Sequence, residues 1–202
     1  MSLTIILQEI FSLRGFLRIF GGVQGIFTDL PVQYLTCESQ ISMSRPDFDD
    51  IFMELAVNLA KRSHCIKKHV GAVLTKDTRI ISIGYNGPPA GTHNCDEEFP
   101  ATGCSRDSKG SCSLALHAEQ NAILYAVKNK ASVEGSTLYV TLAPCLACAR
   151  IIYSMGIAKV IFMFSYAAYK GLPEDEGVAF LNKFGVQTEQ YDKEIHFEDT
   201  LI

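Results

Sequence analysis

From Asp47 onward, Phe48, Ile51, Phe52, Leu55, Ala56 and Leu59 recur at steps of three and four, which predicts a helix ending near Ser63 with one apolar face. Val70–Thr75 and Arg79–Tyr85 are short β-rich runs joined by Lys76, Asp77 and Thr78, the pattern of an antiparallel hairpin. Gly84-Tyr85-Asn86-Gly87-Pro88-Pro89-Ala90-Gly91 then interrupts regular structure, because glycine favours turns and proline lacks a backbone donor. A cysteine-rich loop runs on to about Ser113. The remaining periodicities predict a helix from about Leu116 to Asn129, a strand over Thr137–Leu142, a helix from about Cys145 to Ser154 and a strand over Lys159–Ser165. A last helix near Glu176–Phe184 and a strand near Val186–Tyr191 complete the chain. Strands alternating with helices imply right-handed crossovers and parallel pairing. The expected fold is α/β: a three-layer α/β/α sandwich around a five-stranded mixed sheet.

Residues 1–42 break this order. They are apolar, interrupted by Gly15, Gly21, Gly22 and Gly25, and their longest uncharged stretches fall short of the roughly 20 residues that a membrane span needs. Met43 begins a polar leader directly followed by the first helix. The expected organisation is therefore an extension over 1–42, non-native or loosely attached, and a functional domain over 43–202. The competing reading of 1–42 is an amphipathic, partner-binding or membrane-surface segment around Ile5–Phe20 carrying Arg14 and Arg18.

The 202 residues carry 18 Lys and Arg against 22 Asp and Glu, a net charge of −4. This balance lacks the basic stripe with which proteins track a nucleic-acid backbone, so it argues against a polymeric substrate. Seven cysteines, an odd number that includes a C-x-x-C pair, point to reduced thiols that bind metal in the cytoplasm more than to a disulfide framework.

The chemistry concentrates in two segments, Leu116-His117-Ala118-Glu119 and Pro144-Cys145-Leu146-Ala147-Cys148. Each falls at a predicted helix start, where Pro144 suits the first turn and the positive helix terminus favours thiolates. His117, Cys145 and Cys148 supply three zinc ligands. Tetrahedral zinc then keeps one open position, as catalytic zinc does and structural zinc does not. Glu119 is placed to carry protons between water at that position and a nucleobase. His-x-Glu followed by Pro-Cys-x-x-Cys is the signature of zinc deaminases, and the expected reaction is hydrolytic removal of an amino group from a cytosine-type base. A non-catalytic zinc module, or a deaminase acting on a free base, a nucleoside or tRNA adenosine, are the competing readings.

His117-Ala118-Glu119-Gln120-Asn121-Ala122-Ile123, Tyr139-Val140-Thr141 ahead of Pro144-Cys145, and the Gly84–Gly87 turn with Gly91 resemble the deoxycytidylate deaminase branch of the cytidine and deoxycytidylate deaminase superfamily, over about Asp47–Tyr191. The resemblance implies conversion of dCMP to dUMP for thymidylate synthesis. It also implies a homo-oligomer, commonly a hexamer, with dCTP and dTTP as effectors. It assigns Asn86 to the nucleotide site, with its amide on a sugar hydroxyl, and Tyr166 to a position over the bound nucleotide. Read without it, Asn86 is a turn residue and Tyr166 a strand-end aromatic. A monophosphate needs cationic partners, and Arg45, Lys67, Lys68, Lys128 and Lys170 are the candidates.

Cys65, Cys95, Cys104 and Cys112 lie in loops or at element ends, enough thiols to close a second, structural zinc site. Some microbial relatives carry cysteines and a second zinc there. His64, His69 or His93 is near enough in sequence to replace one of the four. Cys37 has no evident partner.

Overall fold

In the computed structural model, alternate residues of each strand belong to different cores. Ala72 and Leu74 of β1 (Gly71–Lys76), Leu138 and Val140 of β3 (Thr137–Leu142), and Val160 and Phe162 of β4 (Lys159–Phe164) face one helical layer. Val73, Tyr139, Ile161 and Met163 face the other. A strand's two-residue side-chain period thus builds two cores from one sheet. Both faces are apolar, as expected of strands covered on both sides.

The structure describes residues 45–193 and 195, except 109 and 111. The expected extension over 1–42, Cys37 within it, and the alternative amphipathic segment lie outside the described residues. No helix of the described residues is long and apolar enough to cross a membrane. The sheet order is β2-β1-β3-β4-β5, with β2 at Arg79–Tyr85 and β5 at Gln187–Gln190. β1 pairs antiparallel with both β2 and β3, while β3, β4 and β5 run parallel. The expected five-stranded mixed sheet and three layers are what the chain forms.

Helix α1 (Phe48–Ala60) covers one face through Phe52, Met53, Ala56 and Val57. On the opposite face α3 (Ala118–Lys128) contributes Ala118, Ala122, Ile123 and Ala126. There α4 (Leu146–Ser154) adds Ala149 and Ile152, and α6 (Glu176–Lys183) adds Leu181. Short α2 (Cys95–Glu98) and α5 (Tyr166–Lys170) stand where the periodicity predicts only irregular chain. Both have local causes. Asn94 and Glu97 form a capping box at α2, the Asn94 N–H donating to Glu97 Oε2 over 2.9 Å. The Ser165 hydroxyl caps α5, which stops at Gly171 with φ 65°.

Two glycines let helices approach closely enough to place the site. A Cβ on Gly84 would overlap the Ala118 carbonyl oxygen and lie 2.6 Å from the Ala122 nitrogen; one on Gly177 would overlap the Pro144 carbonyl oxygen. Gly84 therefore seats α3 on β2, and Gly177 seats α6 against the entry to α4.

Candidate metal centre and nucleotide cavity

His117 and Cys145 are N-cap residues, with extended backbone angles of φ −73°, ψ 159° and φ −70°, ψ 166°. The helices themselves begin one residue later, so Pro144 precedes the cap rather than occupying the first turn as its sequence position suggests. The His117 backbone is held on both sides. Leu116 and Gly87 exchange hydrogen bonds of 2.9 and 3.1 Å, and the His117 N–H donates to Gln120 Oε1 over 2.9 Å. Cys145 follows β3 by three residues, and Cys148 lies one helical turn further on, so both thiols reach the same space.

His117 Nδ1 lies 3.6 Å from Cys145 Sγ and 3.3 Å from Cys148 Sγ, and all three donor atoms fall within 4.8 Å of one another. Tetrahedral bonds of ordinary zinc–nitrogen and zinc–sulfur length would separate such atoms by about 3.6 Å, so the donors fit the ion in both spacing and type. Among the described residues this is the one set of three or more His, Cys, Asp or Glu side chains close enough to hold a metal.

These groups set one another's protonation. Hydrogen bonding from Cys148, then from His117, draws the Cys145 thiol down to about 3. Its hydrogen bond with Cys145, together with burial, pushes the Cys148 thiol up. The bond to Cys145 raises the His117 imidazole to about 9. Glu119, at the second residue of α3 and only 4% exposed, is raised by burial and hydrogen-bonds with Cys148. A carboxyl shielded in this way is suited to both holding and giving a proton.

A cavity of about 200 Å³ opens beside the cluster, lined by His117, Glu119 and Cys145 together with Asn86, Tyr166, Lys67, Lys68 and Lys170. The structure thus divides the five cationic candidates. Lys128 lines a separate groove with Tyr85 and Leu124, and Arg45 lies exposed ahead of α1. The Asn86 amide is committed to its own chain: Oδ1 accepts from Val70 N over 2.8 Å and Nδ2 donates to Lys68 O over 2.9 Å. One Nδ2 hydrogen is left over for a ligand. The Lys68 ammonium sits 4.8 Å from the centre of the Tyr166 ring.

Cys65, Cys95, Cys104 and Cys112 are drawn into one neighbourhood without closing into a cage as tight as the first. Burial raises the Cys95 thiol, and the sulfurs of Cys112, Cys104 and Cys65 raise it further. All six described cysteines are free thiols. His64 binds Asp96 through Nδ1 at 3.1 Å, while His69 and His93 are not among the residues grouped around a metal.

Sequence reasoning missed the residues that hold the ligands in place. Ser82 Oγ donates to Ala122 O over 2.7 Å, and Asn121 Nδ2 to Tyr85 O over 2.7 Å, tying α3 to β2 and its turn. Asp175 accepts from Ser165 Oγ and Ala167 N, holding the start of α5 and with it Tyr166. Their signal was faint, because each is a polar residue whose partner lies far off in sequence or in an element that periodicity did not reveal.

An imidazole and two thiols at paired helix starts, with a buried carboxylate beside them on a three-layer sheet, define a zinc centre of the nucleobase-deaminase type. The chain belongs to the cytidine and deoxycytidylate deaminase family, whose zinc-binding region matches residues 46–164. It is 42% identical over 126 residues to the deoxycytidylate deaminase of Mycobacterium phage D29, covering 59% of this chain and 97% of that protein. It is 40% identical over 154 residues to that of Schizosaccharomyces pombe, covering 73% of this chain and 45% of the relative, so the chain matches less than half of the longer yeast protein. Among solved structures, the dCMP deaminase of cyanophage S-TIM5 in complex with dCMP and dUMP superposes with a TM-score of 0.60 at 31% identity, over 73% of this chain and 99% of that one.

Proposed function

We propose that the chain hydrolyses dCMP to dUMP and ammonia, supplying dUMP for thymidylate synthesis. The observation that carries this reading is the placement of Glu119 beside the His117, Cys145 and Cys148 donors, in a cavity that also contains three lysines. The full-length match to the phage D29 deaminase and the nucleotides bound by the S-TIM5 enzyme support it.

His117 Nδ1, Cys145 Sγ and Cys148 Sγ would hold the catalytic zinc. Bound zinc supplies a Lewis acid that makes water a usable nucleophile near neutral pH. Glu119 would take one proton from the attacking water as its oxygen bonds to C4 and pass it to N3 of the cytosine ring, then carry the second proton of that water to the amine as the C4–N bond breaks, releasing ammonia. Its burial suits the task by favouring the protonated form. Asn86 and Tyr166 bind the nucleotide, Tyr166 against its face. The reading extends to a second, structural zinc at Cys65, Cys95, Cys104 and Cys112, supported by the mutual influence of these thiols. It also includes a cytoplasmic homo-oligomer, commonly a hexamer in the family, that responds to dCTP and dTTP.

An ammonia-release assay over dCMP, CMP, deoxycytidine, cytosine and an adenosine-containing RNA tests the reading. It expects dCMP to give the highest kcat/KM by at least about tenfold. A different best substrate, or no release from any of them, contradicts it.

A further inference from the structure

Asp175 is the N-cap residue of α6, yet its side chain makes no capping hydrogen bond to that helix. An N-cap aspartate ordinarily accepts from the second or third N–H of the helix it begins. Here both carboxylate oxygens go instead to the start of α5: Oδ2 accepts from Ser165 Oγ over 2.7 Å and Oδ1 from Ala167 N over 2.6 Å. The Ser165 hydroxyl in turn accepts from Ala168 N over 3.0 Å. These bonds bracket Tyr166, which lines the cavity. α5 has only five residues, far below the roughly 12 to 15 that sustain a helix in isolation, so its position depends on what it is tied to. Residues 171–174, which connect it to Asp175, are all exposed. The other end of the tie is firm. Gly177, the second residue of α6, lies so close to the Pro144 carbonyl oxygen that a Cβ would overlap it, and that Cβ would stand 2.9 Å from the Cys145 carbonyl carbon. α6 therefore starts against the segment that carries a metal donor, and Asp175 ties the aromatic wall of the cavity to that point. Asp175 is not itself among the residues lining the cavity.

We infer that Asp175 is a positioning residue for the deaminase reaction, one that fixes the Tyr166 ring against the nucleotide at a set place relative to Cys145. This deepens the dCMP reading and rests on it. A ring held in advance loses little freedom when the ligand arrives, so its stacking adds to affinity instead of being spent on ordering α5. Charge alone makes the opposite prediction. Removing a carboxylate near a cavity that takes an anion should tighten binding of dUMP, whereas releasing Tyr166 should weaken it. The loss should also reach deoxyuridine, because the ring meets the base that both ligands share.

The test is calorimetric binding of dUMP and deoxyuridine to the full zinc-loaded chain, in the wild type, Asp175→Ala, Asp175→Asn, Tyr166→Ala and the double variant Asp175→Ala with Tyr166→Ala. Base–aromatic stacking sets the ceiling, so Tyr166→Ala should weaken both ligands on the order of 10-fold to 30-fold. Asp175→Ala should cost about tenfold for each, and Asp175→Asn, which keeps one oxygen as acceptor, about threefold with the same sign. The double variant should fall within about twofold of Tyr166→Ala alone, since a residue that acts through the ring then has nothing left to position. Zinc content should match the wild type throughout, because the Asp175 side chain does not cap the helix that bears on Cys145. Tighter or unchanged dUMP binding in Asp175→Ala and Asp175→Asn overturns the inference. So does loss of zinc, or a double variant whose losses multiply, as a general structural defect would make them. Wild-type turnover of dCMP, measured alongside, keeps the two claims separate. Binding of both ligands without turnover overturns the reaction alone, and a wild type that binds neither ligand overturns both.

Discussion

Glu119 is the residue on which the chemistry turns, and its role can be separated from that of its neighbours. It stands apart from the three donor atoms grouped around the metal position, so Glu119→Gln should retain zinc while lowering kcat on dCMP by about 10³-fold to 10⁴-fold, the upper range for a general acid–base group. Zinc content and steady-state rates on the same preparation check this, and loss of zinc together with activity would assign Glu119 to the metal instead. Lys68 makes a second prediction at this scale. Its pKa, lowered to about 8 by burial and by Lys170 and partly restored by Cys65, means that the cavity of the free protein loses a cation as pH rises through about 8. A cationic cavity wall favours an anionic substrate, so on the dCMP reading kcat/KM should fall above that pH, while kcat, which reports the substrate complex, should hold to higher pH. A kcat/KM profile flat from pH 7 to 9.5 would contradict this. The ligands themselves were legible because their chemistry is local: a histidine two residues before a glutamate and two cysteines three apart leave few readings. The grouping of Lys67, Lys68 and Lys170 was not legible, since it depends on Asn86 and Tyr166 bringing separate segments to one wall.

At the scale of elements, close approach of backbone decides whether the helix starts meet. Gly84→Ala would force α3 away from β2 at Ala118 and Ala122. The expected cost is about 1–3 kcal/mol of stability, with weaker zinc retention because His117 precedes that contact by a single residue. Denaturant unfolding and metal analysis of the variant measure both effects. The hairpin offers the opposite case. Asp77 and Thr78 adopt φ 49° and 60° between β1 and β2, the left-handed pair that a two-residue hairpin turn requires. Threonine is β-branched and poorly suited to that region, so Thr78→Gly should raise stability by about 0.5 kcal/mol after the added freedom of glycine in the unfolded chain is counted. The long elements were readable within a few residues at each end because burial on one or both faces leaves a period of two or 3.6. The short helices α2 and α5 were not, although Asn94 with Glu97, and Ser165 with Gly171, carried their capping signals. Those signals are brief and unsupported by an apolar stripe, and so they pass for loop.

For the whole molecule, the described core is closed by its own layers: α1 on one face and α3, α4 and α6 on the other. We therefore expect a chain beginning at Met43 to fold and to keep its dCMP activity within about threefold; failure to fold would assign a structural role to residues 1–42. Metal binds the folded form in preference to the unfolded one, so chelation should lower the melting temperature. The proposed second site requires two zinc ions per chain, and mutation of Cys95 and Cys104 to serine should leave one. The fold was legible as a class because alternating elements restrict topology. The most direct test of the central claim is to follow dCMP and dUMP by chromatography with wild-type protein before chelation, after it, and after zinc is restored. The expected result is one dUMP and one ammonia for each dCMP consumed, abolished by chelation and recovered with zinc. Deamination that persists without metal, or a zinc-loaded chain that leaves dCMP unchanged, would contradict the account.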